Sequence, residues 1–385
     1  MVNQIGQGSK RAGEYLRQVN GYRAFIPKPL PPSPPLDKDD ELLWLLSEAD
    51  QALGRLDGST DILPNPDLFV AMYKRKEAVL SSQIEGTQAS LVDILEYEAR
   101  VKLDSLPSDV GEIANYIAAL NLGLASLDEL PLCNRLLKEI HGVLLQGVRG
   151  EDKSPGEFRH SQNWIGPPGC SLSTATFVPP PPSEVDRTMG ALEVYLNDSA
   201  PIPILLKCGL VHGQFEMIHP FLDGNGRLGR LLITFLLCQQ KILRRPLLYL
   251  SAYFREYQDE YYERLQGIHR AGDWEGWLKF FLAGVRDVSR EATETARSII
   301  KMREEHRQLV VQSVRGQSNG LTLLDHLYEM PVVTVARVEE LLDVSYVTAN
   351  NLVHDFCRLG MLAETTNRPR NRVFVYKPYL DILYR

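Results

Sequence analysis

Apolar residues recur every three to four positions along most of this chain, and short polar, glycine- or proline-marked breaks interrupt them, a rhythm that predicts a mainly α-helical protein. Helices are expected over DELLWLLSEADQALGRLDG (40–58) and over one long run beginning at the Asn65–Pro66 start signal, about 66–98. GEIANYIAALNLGLASL and CNRLLKEIHGVLLQGV read as an antiparallel pair between 109 and 148. VDRTMGALEVYLN, LLKCGLVHGQFEMI, YFREYQDEYYERLQGIHRAGD and the long run from Trp274 to Val310 continue the helical series. Two stretches break it. PKPLPPSPPL (27–36) is proline-rich and reads as an extended arm. Residues 150–184 are rich in Gly, Pro and Ser around one β-prone piece, TATFV, and predict a long loop or hairpin of the kind that usually carries function.

The pattern changes again near the end. LTLLDHLYEM, TVARVEELLDV and SYVTANNLVHDFCRLGML predict three short helices, and RLGMLAETTNRPRNRVFVY two strands around a polar turn. Three helices and a hairpin make a winged helix-turn-helix pattern, with GQSNG (316–320) as its linker. The expected organisation is an N-terminal region over 1–108, a core over 109–300, a helical linker over 301–319 and a terminal module over 320–385.

Composition narrows the classes. With 44% hydrophobic and 24% charged residues, 385 positions can bury a real core. A net charge of −7 argues against a generic polyanion binder. Five scattered cysteines without CxxC spacing predict a reduced, cytoplasmic protein. The first residues lack the apolar core of a signal peptide and no long uncharged apolar run occurs, so neither export nor membrane contact is expected.

The chemistry concentrates in HPFLDGNGRLGR (219–230). If Gly224 opens a helix, free backbone N–H groups and the positive end of the helix dipole make an anion site there, and glycine lets a phosphate come close. Arg227 and Arg230, three apart, share a helix face and can fork onto phosphate oxygens. Asp223 is placed to hold Mg²⁺ between phosphates, and His219 to act as a base toward a hydroxyl. These parts together describe transfer at a nucleotide's phosphorus centre. His212 and His219 raise a metal pair, but no third ligand follows at metal spacing, and GxxxxGK[ST] is absent.

The twelve residues match in full the signature of the Fic (filamentation induced by cAMP) family, HPFx[D/E]GNGRxxR, and the chain resembles that family. The resemblance implies a helical bundle with a β-hairpin flap and transfer of AMP from ATP to a Ser, Thr or Tyr hydroxyl of a target protein, its own chain included. By position it implies His219 as base, Phe221 as a buried brace and Asp223 as Mg²⁺ ligand. Gly224, Asn225, Gly226, Arg227, Leu228, Gly229 and Arg230 would bind the nucleotide, with Arg230 on its γ-phosphate. Relatives that act as kinases carry Lys at the place of Gly226, so the glycine favours AMP transfer. GEFRHSQNWIGPPG and TATFVPPPP resemble the family's flap, and Tyr261 or Tyr262 is the candidate for the adenine pocket.

SSQIEGTQ (81–88) adds a second element. Ser81, Glu85 and Gly86 fit the family's inhibitory pattern [S/T]xxxE[G/N], which implies that Glu85 pairs with Arg230 where the γ-phosphate would sit. In the terminal module Tyr346, Thr348 and Asn350 would lead the reading helix, with Arg368, Arg370 and Arg372 on the wing. Residues 317–385 hold seven Lys/Arg against eight Asp/Glu, so a protein or a second copy of the chain is as good a partner as DNA. Two rival readings remain: removal of AMP, or transfer of another nucleotide, by the same residues; and a DNA-binding regulator with a vestigial core.

Overall fold

The structure, a computed structural model, describes residues 10–19, 21–60, 65–99, 109–167, 169–366 and 372–384. Helices dominate it. α1 (Asp40–Ser59) is opened by Asp39, whose carboxylate accepts from Leu42 N, and it packs along α11 (Trp274–Ser313). α4 (Val110–Ser126) and α5 (Asn134–Leu144) form the expected pair, α6 is Pro182–Leu196, and α7 (Ile204–Ile218) runs into α8 (Asn225–Gln239). α7 and α8 bury nearly every side chain, because α4, α5, α6, α10 and α11 surround them. The short connection between them therefore lies at one end of the core, open to a cavity, and it is the HPFLDG segment.

Several expectations change. The single helix over 66–98 is two, α2 (Pro66–Ile84) and α3 (Leu91–Glu98). Gly86 takes φ +95°, a left-handed backbone that ends α2, and Ser90 with Asp93 forms a capping box that starts α3. The 253–273 run also divides, into α9 (Ser251–Glu256) and α10 (Gln258–Ala271), at Tyr257. α11 runs on through the boundary expected at 300, so core and linker share one helix. GQSNG is mostly helical too: Gly316 caps α12 (Gln317–Glu329).

Among the described residues the flap is a two-armed loop closed by one antiparallel bridge, Ile165 to Phe177, and not a laddered hairpin. Prolines at 167 and 179–182 withhold the N–H groups a ladder needs. Periodicity also missed a hairpin of β1 (Gly13–Arg17) and β2 (Arg23–Pro27), whose Phe25 N bonds Val178 O on the flap. After α12 come β3 (Val332–Thr334), α13 (Val335–Leu342), α14 (Tyr346–Arg358), β4 (Leu362–Glu364), β5 (Val373–Tyr376) and α15 (Lys377–Leu383), with strand order β3-β5-β4. Arg368 and Arg370 lie outside the described residues. Arg372 donates to Asn350 on α14 at 2.9 Å. Among the described residues no helix is long and apolar enough to cross a membrane.

Candidate active site

A cavity of about 590 Å³ opens where the α7–α8 connection, the end of α2, the flap and α10 meet. Its lining includes His219, Asp223, Gly224, Asn225, Gly226, Arg230 and Glu85, so residues 134 positions apart in sequence share one wall.

His219 caps α7 in the left-handed conformation (φ 48°), which turns the chain sharply and exposes the ring to the cavity. Two flap residues hold its carbonyl: Arg159 Nε donates at 2.9 Å and Asn163 Nδ2 at 3.2 Å. Arg159 is itself buried, and also donates to the carbonyls of Pro180 (2.6 Å) and Ile218 (3.3 Å). Burial lowers its pKa to about 10, so it keeps its charge at neutral pH against the carbonyl end of α7. Glu216, one turn back on α7, brings Oε2 to 3.6 Å from His219 Nδ1, longer than a hydrogen bond. Burial opposes its charge, but His219, His212 and Arg230 outweigh burial and lower its pKa.

The loop after His219 is braced from inside. Asn225 spends its side chain on Phe221, accepting from its N at 2.9 Å and donating to its O at 2.8 Å. Phe221 is buried and stacks on His141 at 3.8 Å. Gly156 N donates to His141 Nδ1, so Nε2 carries the proton and donates to Asp223 O at 3.0 Å. Burial lowers the pKa of His141 to about 4, which keeps it neutral in this role. Asp223 Oδ1 accepts from Gly224 N at 2.6 Å, and the carboxylate, about a third exposed, lines the cavity. Among the described residues no three His, Cys, Asp or Glu form a metal cluster. One carboxylate facing a phosphate cradle nevertheless suits Mg²⁺, which takes most of its ligands from phosphate and water.

The two arginines part company. Arg230 donates from Nε to Ser81 Oγ (2.8 Å), and from Nη2 to Ser81 O (2.9 Å) and Glu85 Oε1 (2.8 Å). Burial opposes its charge, but Glu85 overcomes that and raises its pKa above the ordinary value. Glu85 also covers the start of α8: a Cβ on Gly226 would collide with its Oε1. Arg227 is fully buried, does not line the cavity, and donates to Glu112 on α4 at 3.2 Å. Leu228 is core, and Gly229 packs against Glu216 and Phe215 of α7 without lining the cavity itself. Successive helix positions turn by about 100°, so the side chains at these three positions leave the wall, and what they can offer a nucleotide is the backbone N–H of the helix start.

Both candidate tyrosines line the cavity, but they sit differently. Tyr261 is buried, stacks on Phe254 at 4.5 Å and donates its hydroxyl to His212 Nε2 at 2.9 Å. His212 Nδ1 meets the Gly229 carbonyl at 2.9 Å, so both its nitrogens are engaged inside the core. Tyr262 is partly exposed at the mouth of the cavity. Pattern reading passed over Glu112, His141 and Arg159. Glu216 alone had a local signal, three residues before His219 on the same helix.

A mainly helical bundle with a glycine-opened helix start, a histidine ahead of it and a flap across it defines the class. Residues 131–237 match the Fic/DOC family and 43–125 the Fic/DOC family N-terminal region, so the chain carries both regions of that family. It is 30% identical over 241 residues to the protein adenylyltransferase Fic of Culex quinquefasciatus, covering 59% of this chain and 44% of that protein. It is 39% identical over 69 residues to a probable protein adenylyltransferase of Aquifex aeolicus, 18% of this chain and 22% of that one. The chain thus spans less than half the length of these curated relatives. In fold it is similar to a Fic family protein from Desulfovibrio desulfuricans G20 (TM-score 0.60, 20% identity, 89% of this chain and 97% of that one). A Fic domain containing signaling protein from Bacteroides thetaiotaomicron is similar over 67% of this chain and 97% of its own (TM-score 0.52, 17% identity).

Proposed function

We propose that this chain transfers AMP from ATP to a protein hydroxyl and that Glu85 holds the reaction in check. The observation that carries the reading is the Glu85–Arg230 pair over Gly226, in the same cavity as His219 and Asp223. The start of α8 would take the phosphates on its free N–H groups, and Arg230 the terminal one. His219 would accept the proton of the target hydroxyl as its oxygen attacks the α-phosphorus; the bond to the bridging oxygen breaks and pyrophosphate leaves. Asp223 would hold Mg²⁺, which would neutralise phosphate charge. Arg227, tied to Glu112, would support the helix start, and Tyr262 would border the base.

The names of the curated relatives support the activity. We read residues 1–108 as the regulatory region, 109–300 as the core, 301–319 as a helical linker and 320–385 as a winged helix that docks a protein, a second chain or DNA. Five free cysteines favour a cytoplasmic setting.

Labelled ATP with Mg²⁺ tests the reading on wild type, Glu85→Gly and His219→Ala. Glu85→Gly should take up label well above wild type, and His219→Ala in the Glu85→Gly background should take up none. Label that persists without His219, or equal label in wild type and Glu85→Gly, sinks it. Labelled GTP, CTP and UTP in parallel identify the nucleotide.

A further inference from the structure

Glu77, Ser81 and Glu85 recur every four residues of α2 and stack along one broad face. Ser81 and Glu85 hold Arg230; Glu77, one turn earlier, has no part in the function proposed so far. It is 3% exposed. Its Oε1 accepts from Ser251 Oγ on α9 at 2.6 Å and from Tyr116 OH on α4 at 2.9 Å. Its Oε2 has no hydrogen-bond partner, and among the described residues no cation pairs with it. A void of about 20 Å³ adjoins it, room for one water, bordered by Tyr249, whose hydroxyl is likewise unpartnered. The charges nearest this pocket are committed elsewhere: Lys76 of α2 pairs with Glu291 of α11 at 3.0 Å, and Arg230 of α8 with Glu85.

A buried carboxylate with two hydroxyl donors and no cation is strongly disfavoured. Burial, against the opposing pull of Ser251, Tyr116 and Arg230, raises the pKa of Glu77 to about 7. We propose that Glu77 is a positioning residue for Glu85: as a neutral carboxylic acid it ties α2 to α4 and α9, and so keeps Glu85 over Gly226. The proposal rests on reading Glu85 as an inhibitor. A carboxyl raised above its ordinary 4.5 contributes stability that is complete below that value and is lost as pH rises through about 7. The tie lost is that of α2, so inhibition weakens as pH climbs from about 6 to 8.

The test measures label uptake by the full chain between pH 6 and 8.5, divided at each pH by that of Glu85→Gly, which shares His219 but lacks the clasp. The ratio should climb about fivefold in wild type. It should stay flat in Glu77→Gln, whose amide keeps an acceptor for Ser251 and Tyr116 but does not titrate. Glu77→Leu, which keeps no acceptor, should label close to Glu85→Gly at every pH. A flat wild-type ratio, an equal slope in Glu77→Gln, or a folded Glu77→Leu as silent as wild type overturns the proposal. Should Glu77→Leu not fold, the two pH ratios decide alone. Should Glu85→Gly take up no label, the reading of Glu85 fails first, and hydrogen exchange then tests Glu77. Amides 81–86 should exchange faster in wild type than in Glu77→Gln at pH 8; equal rates overturn the tie.

Discussion

Arg227 and Arg230 lie one turn apart on α8, both buried, and each neutralised by a carboxylate from a distant helix. The partners differ. Glu112 is 6% exposed in its side chain and sits enclosed in the first turn of α4, whereas Glu85 is 33% exposed and caps the end of α2 beside the cavity. A carboxylate enclosed on every side cannot leave without stranding a charge; one at a helix end, beside a cavity, can be replaced by a phosphate. On the function proposed here the difference separates a strut from a gate within one motif, and it comes from where the counter-charge stands.

Four changes press on that comparison. The largest effect should fall on activity: in the Glu85→Gly background, Arg230→Leu should cut AMP transfer about 10²–10³-fold, as loss of a charge-stabilising donor does. Initial rates of label uptake check it, and an undiminished rate would move the phosphate clamp elsewhere. Next comes stability. Arg227→Leu removes the buried one of two cations on Glu112, which keeps Arg149 at 3.3 Å, and should cost about 1.5–3 kcal/mol in urea unfolding. Arg230→Leu should cost less, because Glu85 can turn to water; equal losses would erase the distinction. Third, Gly226→Ala puts a methyl where the Glu85 carboxylate sits and should cost about 1–3 kcal/mol. The same methyl fills the phosphate cradle, so displacing Glu85 this way should not raise labelling, in contrast to Glu85→Gly. Smallest is Gly86→Ala, which forces a side chain into the left-handed region with nothing nearby to strike. It should cost about 1–2 kcal/mol and raise basal labelling several-fold by loosening the loop behind Glu85; unchanged labelling would detach that loop from the gate.

Much of the architecture was legible because helices announce themselves locally. The 3.6-residue period placed α1, α4 to α7 and α11, and the Asn65–Pro66 signal placed the start of α2. Breaks inside long periodic runs were not legible, since Gly86 and Tyr257 end helices through backbone angles that periodicity does not encode. The β1–β2 hairpin was missed because its short strands gain their place from the flap, through Phe25 N and Val178 O. In the site, the signature run carried His219, Asp223, Gly224, Gly226 and Arg230 onto the cavity wall. Arg227, Leu228 and Gly229 came with the run but face the interior, and Asn225 turns its amide onto Phe221.

By itself the sequence determined that a base, a carboxylate and a glycine-opened helix would stand within a few residues of one another, because a short loop leaves them nowhere else to go. It also spaced Ser81, Glu85 and Gly86 on the end of one helix. Only the tertiary structure decided which arginine meets Glu85 and which meets Glu112. It also decided that Arg159 and His141 hold the backbone of the active loop, and that Glu77 enters the interior without a cation. Those outcomes depend on helices far apart in the chain packing at fixed distances, and charge and burial are properties of that packing, not of residue order.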